Sequence, residues 1–162
     1  YFMARLKDKV DCERVIRAAG VFDLTFYCPD PFAYALADEI FTITETGETF
    51  ITRSLGNIAS RPVYFLKGSL VKARENYISI SVNGVEMKII NAELSLGEIL
   101  VIDTEKMTAY VEDGSGLVLR NALPYLKELN FPELRIGENS VLIQAVNGTF
   151  SELKINARSR WR

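Results

Sequence analysis

Apolar and polar residues alternate most strictly around Asn83-Gly84. Ile78, Ile80 and Val82 precede the pair, and Val85, Met87 and Ile89 follow it. Asn-Gly suits a two-residue type I′ turn, because both central residues need positive φ. That turn sets Val82 opposite Val85, Ile80 opposite Met87 and Ile78 opposite Ile89. All six fall on one face, with Ser79, Ser81, Glu86 and Lys88 on the other. Pattern and turn chemistry agree on one register. A second hairpin follows. Residues 99–102 form a short apolar run that predicts a strand covered on both faces, Asp103-Thr104-Glu105-Lys106 is its turn, and 107–111 return. A third is predicted where 141–146 and 150–157 flank Asn147-Gly148-Thr149. A three-residue loop with a bulge sets Ile143 opposite Leu153 and Val141 opposite Ile155, the register that segregates the faces. Asn147-Gly148-Thr149 is also a glycosylation sequon, read here as a turn.

Further strands are predicted over 2–7, 21–28, 40–44, 62–66 and 134–136, with turns at Asp113-Gly114-Ser115-Gly116 and Gly137-Glu138-Asn139. Val, Ile and Thr number 12, 14 and 9, and such β-branched residues favour strands. Many short strands at this spacing predict an all-β chain with a β-sandwich or jelly roll. Helix is scarce. Asp11 is placed to cap a short helix over 12–19 that stops at Gly20, and Pro124 limits any helix in 122–129 to its first turn. Cys28-Pro29-Asp30-Pro31-Phe32 interrupts a sheet and marks a boundary. Residues 1–38 read as the end of one unit, and 39–162 as a complete sandwich.

Composition narrows the function. The chain has 162 residues, of which 48% are hydrophobic and 25% charged, enough apolar material for a core. There is no histidine. That removes the Ser-His-Asp and Cys-His nucleophiles and the imidazole acid–base group. Two cysteines, 16 apart, do not supply an ordinary zinc site. They read as separate thiols, with a disulfide as the alternative. A net charge of −2 and a pI near 5.3 give no basic footprint for nucleic acid. No apolar run approaches the length of a membrane span, and no secretory signal is visible. The sequence opens on Tyr1, and is read as a fragment or processed product.

Candidate chemistry is thin. Paired carboxylates are the one catalytic device available, and Glu112-Asp113 and Asp103/Glu105 are its best positions. All lie beside predicted turns, where solvated acids are common. No phosphate-cradling glycine loop, metal ladder or cofactor motif appears. Tyr64, Tyr77, Tyr110 and Tyr125 can stack on a sugar ring or simply pack in strands. Arg158, Arg160 and Arg162 with Trp161 make a terminal basic cluster, either a contact for an acidic partner or a solvated strand end.

In order along the chain, these motifs resemble the distal tail protein of long-tailed, non-contractile bacteriophages and prophages. Val21-Phe22-Asp23-Leu24-Thr25-Phe26-Tyr27 leading into Cys28-Pro29-Asp30-Pro31-Phe32 is similar to the strand and CPDPF-like segment that close that family's ring domain. Leu96-Gly97-Glu98-Ile99-Leu100-Val101-Ile102-Asp103 is similar to its G-x-x-L-x-I-D strand. Asn121-Ala122-Leu123-Pro124-Tyr125-Leu126, Leu134-Arg135-Ile136-Gly137-Glu138-Asn139 and the ending Ala157-Arg158-Ser159-Arg160-Trp161 match in character. The resemblance implies a non-enzymatic virion protein, made in the bacterial host cytoplasm and needing no cofactor. Its partners would be the tail tube and the tail-tip or receptor-binding proteins, with a homo-hexameric ring in the full-length protein. Residues 1–38 would be the last strands and short helix of the ring domain. Residues 39–162 would be a galectin-like or carbohydrate-module-like sandwich. Strands 2–7 and 21–26 would lack their sheet partners, and are expected to dock on the sandwich, pair between chains or belong to a longer protein. The alternative role is a glycan-binding module for host adhesion, with Tyr110 and Tyr125 as contacts. For either role Arg158, Arg160 and Trp161 are the remaining candidates.

Overall fold

The computed structural model describes residues 2–8, 12–16 and 19–162, with backbone alone for 12–16 and 19. It begins with short strands: β1 (Arg5–Leu6), β2 (Cys12–Ile16), β3 (Ala19–Phe22), β4 (Phe26–Tyr27) and β5 (Ala33–Tyr34). Next come β6 (Ile40–Ile43), β7 (Gly47–Arg53), β8 (Val63–Leu70), β9 (Tyr77–Val82) and β10 (Val85–Ile90). β11 (Ile99–Asp103), β12 (Thr108–Glu112) and β13 (Val118–Asn121) lead to one 3₁₀ turn, Leu123–Tyr125. β14 (Gly137–Val146), β15 (Gly148–Asn156) and β16 (Arg160–Trp161) finish the chain.

Two antiparallel sheets form a β-sandwich. One runs β10-β9-β14-β7 and the other β13-β12-β11-β8-β15-β6. Their inner faces share one apolar core. Ile78, Ile80, Val82, Met87, Ile89, Val141 and Ile143 come from the first sheet; Leu66, Leu70, Leu100, Ile102, Val111, Leu153 and Ile155 come from the second. Burial of these aliphatic side chains is the main source of stability, at about 25 cal/mol per Å² of apolar surface.

The Asn83-Gly84 hairpin has the register its sequence predicts: Val82 pairs with Val85, Ile80 with Met87 and Ile78 with Ile89. Asn83 and Gly84 have φ of 51° and 83°. Val85, next to the turn, is the one member of the apolar face left exposed. The β11–β12 hairpin also forms, with β11 a central strand between β8 and β12, and Leu100, Val101 and Ile102 are all buried, Leu100 and Ile102 in the core between the sheets. Pro124 sits in the first turn of the 3₁₀ segment, which goes no further.

Three expectations are corrected. The stretches 141–146 and 150–157 do not form a hairpin. β14 pairs with β7 and β9, whereas β15 pairs with β6 and β8 in the other sheet. One residue, Asn147 (φ 52°), carries the chain between sheets. Ile143 and Leu153 do belong to one core, but from opposite layers. Both arrangements bury the same alternate residues, so face segregation cannot separate them. β15 does carry a register shift between Phe150 and Glu152, but it lies against β8 and is not the hairpin-loop bulge expected at Asn147-Gly148-Thr149. Second, 12–16 is a strand paired with β3, not a helix; Asp11, the expected cap, lies outside the described residues. A helix this short is marginal without packing, and Val15 and Ile16 favour extended backbone. Third, 134–136 is not a strand. Leu134 makes only a bridge to Ser60. The Asn139 amide bonds the Arg135 N–H and the carbonyls of Arg135 and Gly137, holding 135–136 as a loop that leads into β14, and the turn expected at Gly137-Glu138-Asn139 is instead the first part of β14, paired with Arg53, Thr52 and Ile51.

Strand 2–7 is reduced to β1, which finds a partner in β4 within the chain: Arg5 pairs with Tyr27 and Leu6 with Phe26. Phe2, Met3, Leu6, Val21, Phe22, Leu24, Phe26 and Tyr27 are all exposed.

Candidate functional site

The terminal basic cluster forms a strap. β16 pairs with β5, placing Arg160 opposite Tyr34 and Trp161 opposite Ala33. Four arrangements fasten it. Arg158 forks onto Asp103, Nη1 to Oδ1 at 2.7 Å and Nη2 to Oδ2 at 2.8 Å, and Nη1 also reaches Glu105 Oε2 at 3.2 Å. The Ser159 N–H donates to Asp38 Oδ2 at 2.8 Å. Arg160 Nε donates to the Ala59 carbonyl, and its guanidinium lies 4.6 Å from the centre of the Phe32 ring. Asn57 completes the strap, accepting the Arg162 N–H and donating to the Arg162 carbonyl.

The sequence places Asp103 at a turn, and the turn exploits it. Its carboxylate accepts the N–H groups of Glu105 and Lys106. Burial works to raise the Asp103 pKa, but the Arg158 and Lys106 hydrogen bonds and charges outweigh it and hold the carboxyl below its ordinary range. The same pair holds Arg158 above the usual arginine value. Tyr34 lies beside them: its hydroxyl donates to Asp30 Oδ2 at 2.7 Å, with Glu105 Oε1 3.4 Å away. Burial and the Asp30 bond push the Tyr34 phenol up to about 12. The strap and β6 border a cavity of about 300 Å³ that Tyr34, Leu36, Asp38, Ile40, Asn156 and Arg158 help to line.

Asp103 and Glu105 are therefore bound to arginine rather than set free across a cleft as an acid–base pair would be. Asp113 instead folds its own loop, accepting from Ser115 N–H, Ser115 hydroxyl and Leu117 N–H. Among the described residues no group of three or more Cys, Asp or Glu is arranged to hold a metal ion. Cys28 is a free, exposed thiol, and the Cys12 side chain lies outside the described residues.

Tyr110 and Tyr125 go to different places. Tyr110 is half-buried on the outer face of β12, paired with Val101 on one side and Asn121 on the other. Its phenol is raised by burial first and then by the charges of Glu112 and Asp103. Tyr125 ends the 3₁₀ turn, packs on the core and faces Arg120, whose guanidinium forks onto Glu98 at 2.7 Å. Tyr110 also borders a mainly apolar groove of about 400 Å³ with Thr108, Ala109, Val118, Asn121 and Leu123. Sequence reading missed this groove; the exposed run Leu117-Val118-Leu119 was its available signal.

No family model matches the chain, and no curated protein matches it. Among solved structures it is similar to the crystal structure of the SPP1 Dit protein (gp 19.1), described as a paradigm of the hub adsorption apparatus in phages infecting Gram-positive bacteria. Identity is 16%, the TM-score is 0.60, and the match covers 99% of this chain and 57% of that one. The likeness is one of fold. The chain spans a little over half of that protein's length.

Proposed function

We propose that the chain is part of a non-enzymatic phage tail protein, a hub at the distal tail end that joins the tail tube to tail-tip or receptor-binding proteins. The observation that carries this reading is the end-to-end fold match to a phage hub protein, which takes in the short N-terminal strands as well as the sandwich. The division proposed is residues 1–38 as the end of a ring-forming domain and 39–162 as the projecting sandwich. The exposed apolar residues of β1, β3 and β4 support it, since an isolated two-stranded ribbon is marginal in water and its uncovered apolar side chains gain from burial against further protein. The strap gives the two parts a firm joint, because β16 and Asp38 tie residues 33–38 to the sandwich. In the virion, a hexameric ring would propagate the tube while the sandwiches present docking faces.

The test is to express the longer protein that contains this chain, measure its mass in solution by light scattering and image it by electron microscopy with its tail neighbours. Six-membered rings that cap tail tubes are expected. A monomer that forms no ring even with those neighbours sinks the reading.

A further inference from the structure

Asparagine followed by glycine is a chemically labile pair, because glycine has no side chain to shield its own nitrogen from the asparagine amide. Two such pairs occur, Asn83-Gly84 and Asn147-Gly148. The fold treats them differently. Asn83 is held: its side-chain nitrogen donates to Asn139 Oδ1 at 2.8 Å, and its side-chain oxygen accepts the Ser140 N–H at 3.3 Å. Asn147 is exposed, and among the described residues no hydrogen bond holds its side chain. Asp113-Gly114 has the same spacing of groups, but its carboxylate is occupied by Ser115 and Leu117.

The corner between the two layers favours this pair. Asn147 has φ of 52°, a region that asparagine enters more readily than most residues. Gly148 has no room for a Cβ, which would stand 2.6 Å from Leu70 Cδ1 and 3.0 Å from the Ser69 carbonyl oxygen, and Leu70 is buried. The Gly148 nitrogen is also left outside the ladders. Leu70, its partner in register, exchanges both N–H and carbonyl bonds with Leu94. In an antiparallel ladder a residue so engaged makes no such bonds with the neighbour on its other side. The Gly148 N–H therefore faces away from β8, and β6 pairs with β15 only from Leu153 onward.

We propose that Asn147 is a site of spontaneous modification, converting to aspartate and mainly to isoaspartate, and that isoaspartate there loosens the sandwich. The Gly148 nitrogen gives up its proton to base and bonds to Asn147 Cγ. The side-chain nitrogen leaves as ammonia, and a cyclic imide remains. Water then opens one of the two imide bonds. Opening at Cγ restores the ordinary backbone as aspartate. Opening at the Asn147 main-chain carbonyl carbon leaves the chain running through Cγ, one carbon longer, as isoaspartate. Nothing is oxidised or reduced, and water is the co-reactant. One residue joins β14 to β15, and pairing resumes on either side of it, Val146 with Tyr77 and Gly148 with Leu70. An added carbon has no loop to absorb it. The site belongs to the chain itself and stands whether or not the chain builds a tail.

The purified chain is aged in mildly alkaline buffer, digested with trypsin and sequenced by electron-transfer mass spectrometry, which tells isoaspartate from aspartate. Cleavage after Arg74, Lys88, Arg135 and Lys154 puts the two asparagine-glycine pairs in separate peptides. In the folded chain Asn147 should convert at least about tenfold faster than Asn83, because two hydrogen bonds must open before Asn83 can react. In guanidinium chloride the two rates should converge, since valine precedes both pairs and the fold no longer separates them. Modified chain recovered by anion exchange should melt below unreacted chain. It should also melt below Asn147→Asp, which carries the same charge on a backbone of ordinary length. The proposal is overturned if Asn83 keeps pace with Asn147 in the folded chain, or if Asn147 converts only once the chain is unfolded. It is equally overturned if the difference persists in guanidinium chloride, or if the modified chain melts together with Asn147→Asp.

Discussion

Replacing Arg158 with Met tests whether the strap is held by the Asp103 fork. Met keeps much of the aliphatic length and removes the charge. The structure sets the magnitude. Two charge-assisted bonds, at 2.7 and 2.8 Å, are lost to a carboxylate whose side chain is 7% exposed. Such bonds contribute about 1.5–3 kcal/mol each. Two facts reduce the sum. Asp103 keeps the N–H groups of Glu105 and Lys106, and the Arg158 side chain is 25% exposed, where solvent screens it. A loss of about 2–3 kcal/mol remains, below the roughly 3–5 kcal/mol for a fully buried pair.

Trp161 is the chain's single tryptophan and lies in the strap, so its fluorescence reads strap release directly. In urea, the Arg158→Met fluorescence midpoint should fall by about 1–2 M. Circular dichroism of the two sheets should move less. Asp103→Asn keeps the turn acceptor and should cost a similar amount, and the double variant little more, giving a coupling of about 2 kcal/mol. Acidity gives an independent check. The Asp103 pKa is lowered in the folded chain, so its contribution is full above the ordinary carboxyl value near about 3.9 and lost as pH falls through the folded value. Arg158, with its pKa raised, stays charged across this range and adds no slope. The gap between wild type and Arg158→Met should therefore be full at neutral pH and shrink below about pH 4. Additive single effects, a shift under about 0.5 kcal/mol, or a gap that persists in acid would refute the clamp.

Gly68→Ala should destabilise by about 1–3 kcal/mol in thermal melts, because its Cβ would stand 2.3 Å from the Thr149 carbonyl oxygen, which is backbone and cannot swing away. Gly84→Ala meets no atom within 4 Å but keeps φ at +83°, so its roughly 1–2 kcal/mol cost should be conformational, with core packing unchanged by NMR. Tyr64→Phe should cost about 1 kcal/mol by urea titration, since the buried hydroxyl donates to the Pro132 carbonyl. With Cys12 and Cys28 changed to serine, cysteines at Ser81 and Leu142 should cross-link on oxidation, whereas cysteines at Leu142 and Lys154 should not. The first pair is in register between β9 and β14, and the second is the pair a β14–β15 hairpin would create.

What the sequence made legible follows the range of the interactions. The Asn83-Gly84 hairpin is written locally: turn residues, alternation and register all lie within 78–89, and each constrains the others. The corner at Asn147 lacks that closure. Its alternation says which residues are buried, but whether they meet in one sheet or across two depends on β7, β8 and β9, far away in sequence. The 12–16 stretch fails for a related reason: a cap and a stop signal a helix only if nothing competes, and the strand pairing with β3 competes. The candidate site repeats the lesson. Arg158, Arg160 and Trp161 stand out as a cluster, yet Arg158 meets its counter-charge 55 positions earlier, at a turn that reads as solvated acid. A carboxylate in a tight turn is already fixed by two N–H bonds, so it is an ordered target for a guanidinium and loses little further freedom on pairing. The feature that made Asp103 look like ordinary turn chemistry is thus the one that lets it anchor the end of the chain.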